Sequence, residues 1–363
     1  MLIYMVLLFY ILIWKIWQTK GRIILYENEI DVEQRKLLDK QFITASFAGI
    51  ILLTALRSIK VGPDTNQYAA NYYRVCNGVD AVVDMQFELG YRLLTAILSK
   101  ITHKEQILFA VIALITNIPI ARFIYRYSKC KLLSVILYIT VGSFTFQLTG
   151  LRQSIALAIC IIAIDYAKQQ KIVPFILAVI LAFFFHRSAM MFLPVYFFGS
   201  QKVNRKEILL ITISFIGVYF SDYLFLRVSS ILGYEEYIGS SGVDNNGGWT
   251  LIVIMGLTLL LHIVTKKYYP LSNQEENIER MMFAILLVGL GLYLLRYKVR
   301  VAERVSLYYR SPLIILLPNS LIRLKVRPLK WKSYILWACG FLSIILFFYW
   351  LRGSYYLYYP FWK

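Results

Sequence analysis

Charge is scarce in this sequence, and acid is scarcer than base. Only 16% of the 363 residues are Asp, Glu, Lys or Arg, against roughly 25% in soluble domains. Twenty acidic residues face 39 basic ones, and there are three histidines. The four cysteines, Cys76, Cys130, Cys160 and Cys339, form no C-x-x-C pair. That argues against a disulfide framework and a zinc site. Three histidines without clustered carboxylates argue against another metal centre, and nothing calls for a cofactor. No period of roughly 20–50 residues is visible, so solenoids are set aside. The polar low-complexity tracts of disordered chains, the glycine period of collagen and the heptads of coiled coils are also missing.

What fills the chain instead is apolar. Hydrophobic residues make up 59% and aromatic residues 16%, with 28 Tyr and 23 Phe; the mean hydropathy is +0.61. A soluble fold cannot hide that much apolar surface, so the composition indicates an integral membrane protein. The apolar residues come in long blocks rather than alternating strands, which favours helices over an outer-membrane barrel.

The blocks lie near 2–17, 41–58, 105–125, 131–149, 151–167, 172–186, 188–198, 207–221, 250–265, 281–297, 305–322 and 331–351. At about 20 residues per crossing, this predicts an all-α polytopic protein of about twelve helices, some short or re-entrant. The whole of 1–363 reads as a single integral membrane domain. The first block lacks a basic n-region and a small-residue cleavage site, so it reads as a retained span.

Basic residues set the orientation. With the N-terminus outside, the inside connections hold Lys20–Lys40, Arg126–Lys131, Lys168–Lys171, Lys202–Lys206, Lys266–Arg280 and Arg323–Lys332, all rich in Lys and Arg. In a soluble protein the +19 charge would suggest nucleic acid; here it meets anionic headgroups, and no nucleic-acid partner is expected. Two outside loops are long. Residues 59–104 carry an amphipathic helix near Phe87–Ile101, and 222–249 form a flexible glycine-rich loop.

One outside connection breaks the charge rule. Arg296, Arg300 and Arg304 are spaced four apart, a helical stripe that continues to Tyr308, with Arg310 deeper in the next block. Arginine near a bilayer core is costly, and its planar fork suits phosphate oxygens. A clamp on a lipid pyrophosphate fits; so do headgroup snorkelling and an ion pair with Glu303. Arg152, between two apolar blocks on the same side, is a second anion contact or a snorkelling helix start. His186, between two short apolar segments, is a functional group or a satisfied bundle histidine. Asp64, at the Gly62-Pro63 turn near Arg57, is a general base, an orienting carboxylate or a turn cap. Tyr68, Tyr72 and Tyr73 fit an interfacial belt or a sugar-stacking surface.

Taken together, four elements resemble the EpsG family of Wzy-like polysaccharide polymerases. Arg57-x-x-x-Val61-Gly62-x-Asp64-Thr65-x-x-Tyr68 is the first; it departs from the family's usual pattern at Pro63. Leu151-Arg152-Gln153-Ser154-Ile155-Ala156 is the second. Phe185-His186-x-Ser188-Ala189 with Leu193-Pro194 is the third, and Glu303-Arg304-x-x-x-Tyr308-Tyr309 is the fourth. The resemblance spans roughly residues 40–320. It implies a GT-C-like helical bundle with an outward-facing cavity, in a bacterial cytoplasmic membrane. It also implies polymerisation of oligosaccharide units carried on undecaprenyl pyrophosphate, for capsule, exopolysaccharide or O-antigen. The growing chain would pass to the non-reducing-end hydroxyl of the next unit, with a flippase and a chain-length regulator as partners.

On that reading Asp64, His186, Arg304 and Arg152 are catalytic. Arg57, Thr65, Tyr68, Gln153, Arg296, Arg300, Tyr308 and Arg310 bind substrate. Arginines hold the pyrophosphate, and Asp64 or His186 accepts the proton of the acceptor hydroxyl. Three other readings stand beside it: a lipid-linked oligosaccharide flippase, a ligase or single-sugar transferase with a polyprenyl donor, and a membrane O-acyltransferase. A flippase needs polar groups through the full depth of a cavity, usually with internal repeats. An acyltransferase needs a histidine served from the cytoplasm, whereas His186 is expected toward the outside.

Overall fold

The computed structural model describes residues 1–19, 31–80, 87–199, 248–297, 300–324, 329–352 and 358–360. The expected block at 207–221 and the loop at 222–247 lie outside them. Among the described residues the structure is helical, with no β-strand. One isolated antiparallel bridge joins Arg57 and Pro360.

Five helices are long and apolar enough to cross a membrane: Val32–Ala55, Glu105–Tyr127, Trp249–Tyr268, Glu275–Leu295 and Trp331–Leu351. Five shorter apolar helices of 10–17 residues accompany them. The protein is therefore a polytopic, all-α membrane protein. Local chemistry starts and stops these helices. Asp31 accepts a hydrogen bond from the Glu33 N–H at 3.2 Å and so caps the Val32–Ala55 helix. The Glu105–Tyr127 helix has its acid in the first turn and Arg126 in the last, as the helix dipole favours.

The chain falls into two compact units, residues 1–158 with 321–363, and residues 159–320. The first contains α1 (Leu2–Gln18), α2 (Val32–Ala55), α3 (Thr65–Cys76), α4 (Leu89–Ser99), α5 (Glu105–Tyr127), α6 (Lys131–Thr140) and α7 (Ser143–Gln147). It also holds the first part of α8 (Leu151–Lys168) and, after the second unit, the helix Leu329–Leu351.

The block at 131–149 is not one helix. Ten residues of α6 cover only about 15 Å. The chain then breaks at Gly142, whose φ of +90° is the left-handed conformation glycine accepts at no steric cost. Broken backbone at membrane depth must find other partners, and the Gly142 carbonyl accepts from the Phe146 N–H at 3.0 Å and the Thr145 hydroxyl at 3.2 Å. The Asn117 amide on α5 donates to Gln147 Oε1 at 2.9 Å, and the Tyr138 hydroxyl donates to Asn117 Oδ1 at 2.9 Å.

The second unit contains the rest of α8, α9 (Ile172–Phe185), a 3-10 turn at Arg187–Phe192 and α10 (Val195–Phe198). It continues with α11 (Trp249–Tyr268), α12 (Asn273–Leu295), α13 (Arg300–Arg310) and most of α14 (Leu313–Arg323). The expected half-depth helix at 188–198 is instead that 3-10 turn followed by one short helix, because Pro194 removes a backbone donor in its middle. The block at 305–322 likewise divides at Ser311-Pro312. A buried polar tie links three helices here. His262 Nδ1 on α11 lies 3.5 Å from Glu279 Oε2 on α12, and the Asn319 amide on α14 donates to Glu279 Oε1 at 3.3 Å.

Candidate functional site

In the first unit the site begins with a turn. Gly62 has φ +85°, and a Cβ there would lie 2.9 Å from the carbonyl oxygen of Leu148. That close approach lets two distant segments join. The Thr65 hydroxyl lies 2.8 Å from the Leu148 oxygen, and the Asp64 N–H donates to Thr149 Oγ1 at 3.1 Å. The first sequence element is thereby stapled to the turn that starts α8 and carries the second.

Asp64 occupies the N-cap position of α3, yet its side chain makes no cap hydrogen bond. It is half-buried, so the carboxylate is not consumed by its own helix.

Arg152, one residue into α8, points its guanidinium into an aromatic box. Its carbon lies 4.6 Å from the Phe87 ring centre and 5.8 Å from that of Tyr68. Its Nε donates to the Tyr68 hydroxyl at 3.3 Å, and its Nη1 is paired with the carboxylate of Glu88. Tyr68, Phe87 and Tyr91 close the box with centroid separations of 5.3–5.6 Å. Burial raises the Tyr68 hydroxyl above its ordinary pKa, and the neighbouring Arg152 pulls it part of the way back. The hydroxyl therefore stays protonated, in the field of both Asp64 and Glu88.

Arg57 is fully buried. Its Nη1 donates to the Thr54 carbonyl at 2.7 Å, and its guanidinium carbon is 4.4 Å from the Phe109 ring centre. Among the described residues, Nε and Nη2 have no hydrogen-bond partner. Gln153 is buried beside Arg152 in sequence, on the first turn of α8.

In the second unit the third and fourth sequence elements meet. Ser188 Oγ donates to the Tyr308 hydroxyl at 3.2 Å. The Tyr309 hydroxyl donates to the Met191 carbonyl, and Phe192 packs on both tyrosine rings at 6.4 and 5.7 Å. His186 closes α9 in extended backbone and is buried.

The expected arginine stripe takes a different form. Arg300, Arg304 and Tyr308 follow one another at intervals of four on α13, as expected, whereas Arg296 lies just past the end of α12 and is not part of that helix. Arg300 is the first residue of α13, and its side chain is outside the described residues. Arg296 is only 3% exposed, and its Nη groups are engaged. Its Nη1 donates to the Tyr293 hydroxyl at 2.7 Å and lies 3.5 Å from Glu303 Oε1. Its guanidinium also covers the Tyr293 and Tyr297 rings at 4.5 and 4.9 Å. Arg310 approaches the Tyr293 ring too, at 5.2 Å, so one tyrosine is flanked by two cations. Arg304 is exposed.

Sequence reasoning singled out neither Glu88 nor Thr149, nor Tyr293. Glu88 stands 64 residues from Arg152, and no local pattern announces that pairing. For Tyr293 the signal was present: it precedes Arg296 by one helical turn.

The family model described as EpsG family matches residues 40–362. No curated protein matches the chain, and no solved structure does.

Proposed function

This chain belongs to the EpsG family of Wzy-like polysaccharide polymerases, and on that premise we propose that it joins lipid-linked oligosaccharide repeat units. The growing glycan leaves undecaprenyl pyrophosphate and passes to the non-reducing-end hydroxyl of the next lipid-linked unit. The reaction occurs at the outer face of the bacterial cytoplasmic membrane.

The observation that carries this reading is the Arg152 constellation. A guanidinium packed against an aromatic ring and hydrogen-bonded to a phenol is held with its Nη groups, one of them paired with Glu88, able to meet an anion edge-on. The bond that breaks joins the anomeric carbon to a diphosphate oxygen. Stabilising charge on that departing oxygen is the large term, and arginine does it without a metal. The reaction has two lipid-linked substrates and hence two diphosphate handles. We assign one hold to Arg152, and a further one to Arg304 and Arg310 of α13.

The acceptor is a sugar hydroxyl, a weak nucleophile that needs a proton acceptor and alignment. We assign the proton to Asp64, whose carboxylate is unspent as a cap and whose backbone is anchored by Thr149. His186, the other candidate, is buried at the end of α9 and serves positioning.

The test is reconstitution. Purified protein in nanodiscs is given only lipid-linked repeat units, and the products are separated by size. A ladder of polymer is expected. Monomeric units alone, in protein that remains folded, would overturn the reading in favour of a ligase or a flippase. In cells the same classes separate by where single units accumulate: outside if polymerisation is lost, inside if transport is lost.

A further inference from the structure

The ion pair between Arg152 and Glu88 has a property that a purely structural pair lacks. Glu88 is the N-cap residue of α4, in extended backbone, and its side chain makes no cap hydrogen bond. A carboxylate in this position ordinarily caps. Here it is paired with Arg152.

The pair is also reachable. The Arg152 side chain keeps 22% of its exposure and the Glu88 side chain 11%. Phe87 packs closest against the guanidinium, and the Tyr68 hydroxyl accepts a hydrogen bond from Nε. With Nε so engaged, the in-plane edge left for a bidentate anion is that of Nη1 and Nη2, and Glu88 holds its Nη1 end. Carboxylate and phosphate oxygens approach a guanidinium in that same plane. The two anions therefore compete for one edge. The aromatic box and the Tyr68 hydrogen bond hold Arg152 in place whichever anion is bound.

We propose that Glu88 is the resident counter-ion of Arg152, occupying its guanidinium edge until a diphosphate displaces it. Glu88 is thus a positioning residue. It keeps a half-buried cation neutralised in the empty site, which would otherwise carry a large desolvation cost. It also sets a threshold: a multiply charged diphosphate outcompetes a carboxylate, and a singly charged anion does not. No covalent step is involved. The proposal rests on the reading of Arg152 as a diphosphate hold.

The experiment measures inorganic pyrophosphate binding by calorimetry to the purified full-length protein in nanodiscs, with no sugar substrate present. Glu88→Gln removes the competing charge while its amide oxygen still accepts from Arg152. It is expected to bind pyrophosphate roughly five- to tenfold more tightly than wild type. Glu88→Asp keeps the charge and is expected to bind as wild type does. Undecaprenyl diphosphate placed in the nanodisc should follow the same order, which separates the lipid-borne source from the free ion. A merely structural role predicts the reverse, with Glu88→Gln binding more weakly as the box loosens. Equal or weaker binding in a folded Glu88→Gln protein, with Arg152→Gln abolishing it, overturns the counter-ion proposal and leaves the diphosphate reading standing. Undiminished binding in Arg152→Gln overturns the diphosphate reading itself.

Discussion

Ser188 donates a hydrogen bond to the Tyr308 hydroxyl at 3.2 Å across 120 residues of chain. That contact makes one structure of two short sequence elements, one at the end of α9 and one on α13. The first unit repeats the pattern, where the Asp64 N–H reaches Thr149 Oγ1 across 85 residues. In each unit an otherwise weak motif gains meaning from the motif it touches.

Ser188→Ala should therefore cost stability rather than chemistry. A neutral hydrogen bond inside a membrane bundle contributes about 0.5–1 kcal/mol. Thermal unfolding of the Ser188→Ala and Tyr308→Phe variants and the double variant forms a cycle. A coupling of that size is expected, with polymer still produced by Ser188→Ala.

Asp64→Asn should abolish polymer while leaving the protein folded. Its carboxylate caps nothing, so the helix loses no hydrogen bond. Asp31→Ala is the mirror case. It removes the cap on Glu33 and should cost about 1 kcal/mol of stability with polymer length unchanged. Polymer gels and melting curves on the two variants should separate along opposite axes.

Gly62→Ala combines both effects. At φ +85° a side chain is strained by roughly 1–2 kcal/mol. Its Cβ would also meet the Leu148 oxygen at 2.9 Å. Because Thr65 and Asp64 are joined to Leu148 and Thr149 through this turn, polymerisation should fall by at least about tenfold, beyond what the stability loss explains. The comparison is activity per folded protein.

Arg296 and Arg304 should part company. Arg296→Gln leaves Glu303 without its partner and empties the Tyr293–Tyr297 cage. Fully buried pairs cost about 3–5 kcal/mol to break, and since Glu303 keeps 35% exposure, about 2 kcal/mol is expected here. Arg304 is exposed, so Arg304→Gln should shift stability by less than about 0.5 kcal/mol while reducing polymer. Melting temperatures of the two variants against polymer yield decide this.

Hydropathy alone made the membrane helices legible. Val32–Ala55, Glu105–Tyr127 and Trp331–Leu351 follow from apolar runs long enough to span about 30 Å. Breaks were harder to see. Gly142 and Pro312 interrupt runs whose average hydropathy hides them, because a single residue's φ or missing donor is invisible to a window. The amphipathic helix expected near Phe87–Ile101 is present at Leu89–Ser99, with Tyr91, Thr95 and Leu98 on its buried face.

Among the site residues, sequence picked out Arg152, Asp64, His186 and the arginines of 296–310 by their cost in an apolar setting. It read 296, 300 and 304 as one stripe because spacing of four implies one helix face. The chain leaves α12 at Leu295 and starts α13 at Arg300, so Arg300, Arg304 and Tyr308 keep that spacing on one helix and Arg296 falls outside it. Arg296 became a caged structural cation and Arg304 an exposed one.

The primary structure by itself settled the class, the helices and the identity of the costly groups, since each of these is a local property of composition and period. Only the tertiary structure decided which partner each costly group has: Glu88 for Arg152, Tyr293 for Arg296, Thr149 for the backbone of Asp64. Pairing across 64 or 85 residues depends on where the chain returns, and that is set by packing rather than by any neighbouring residue.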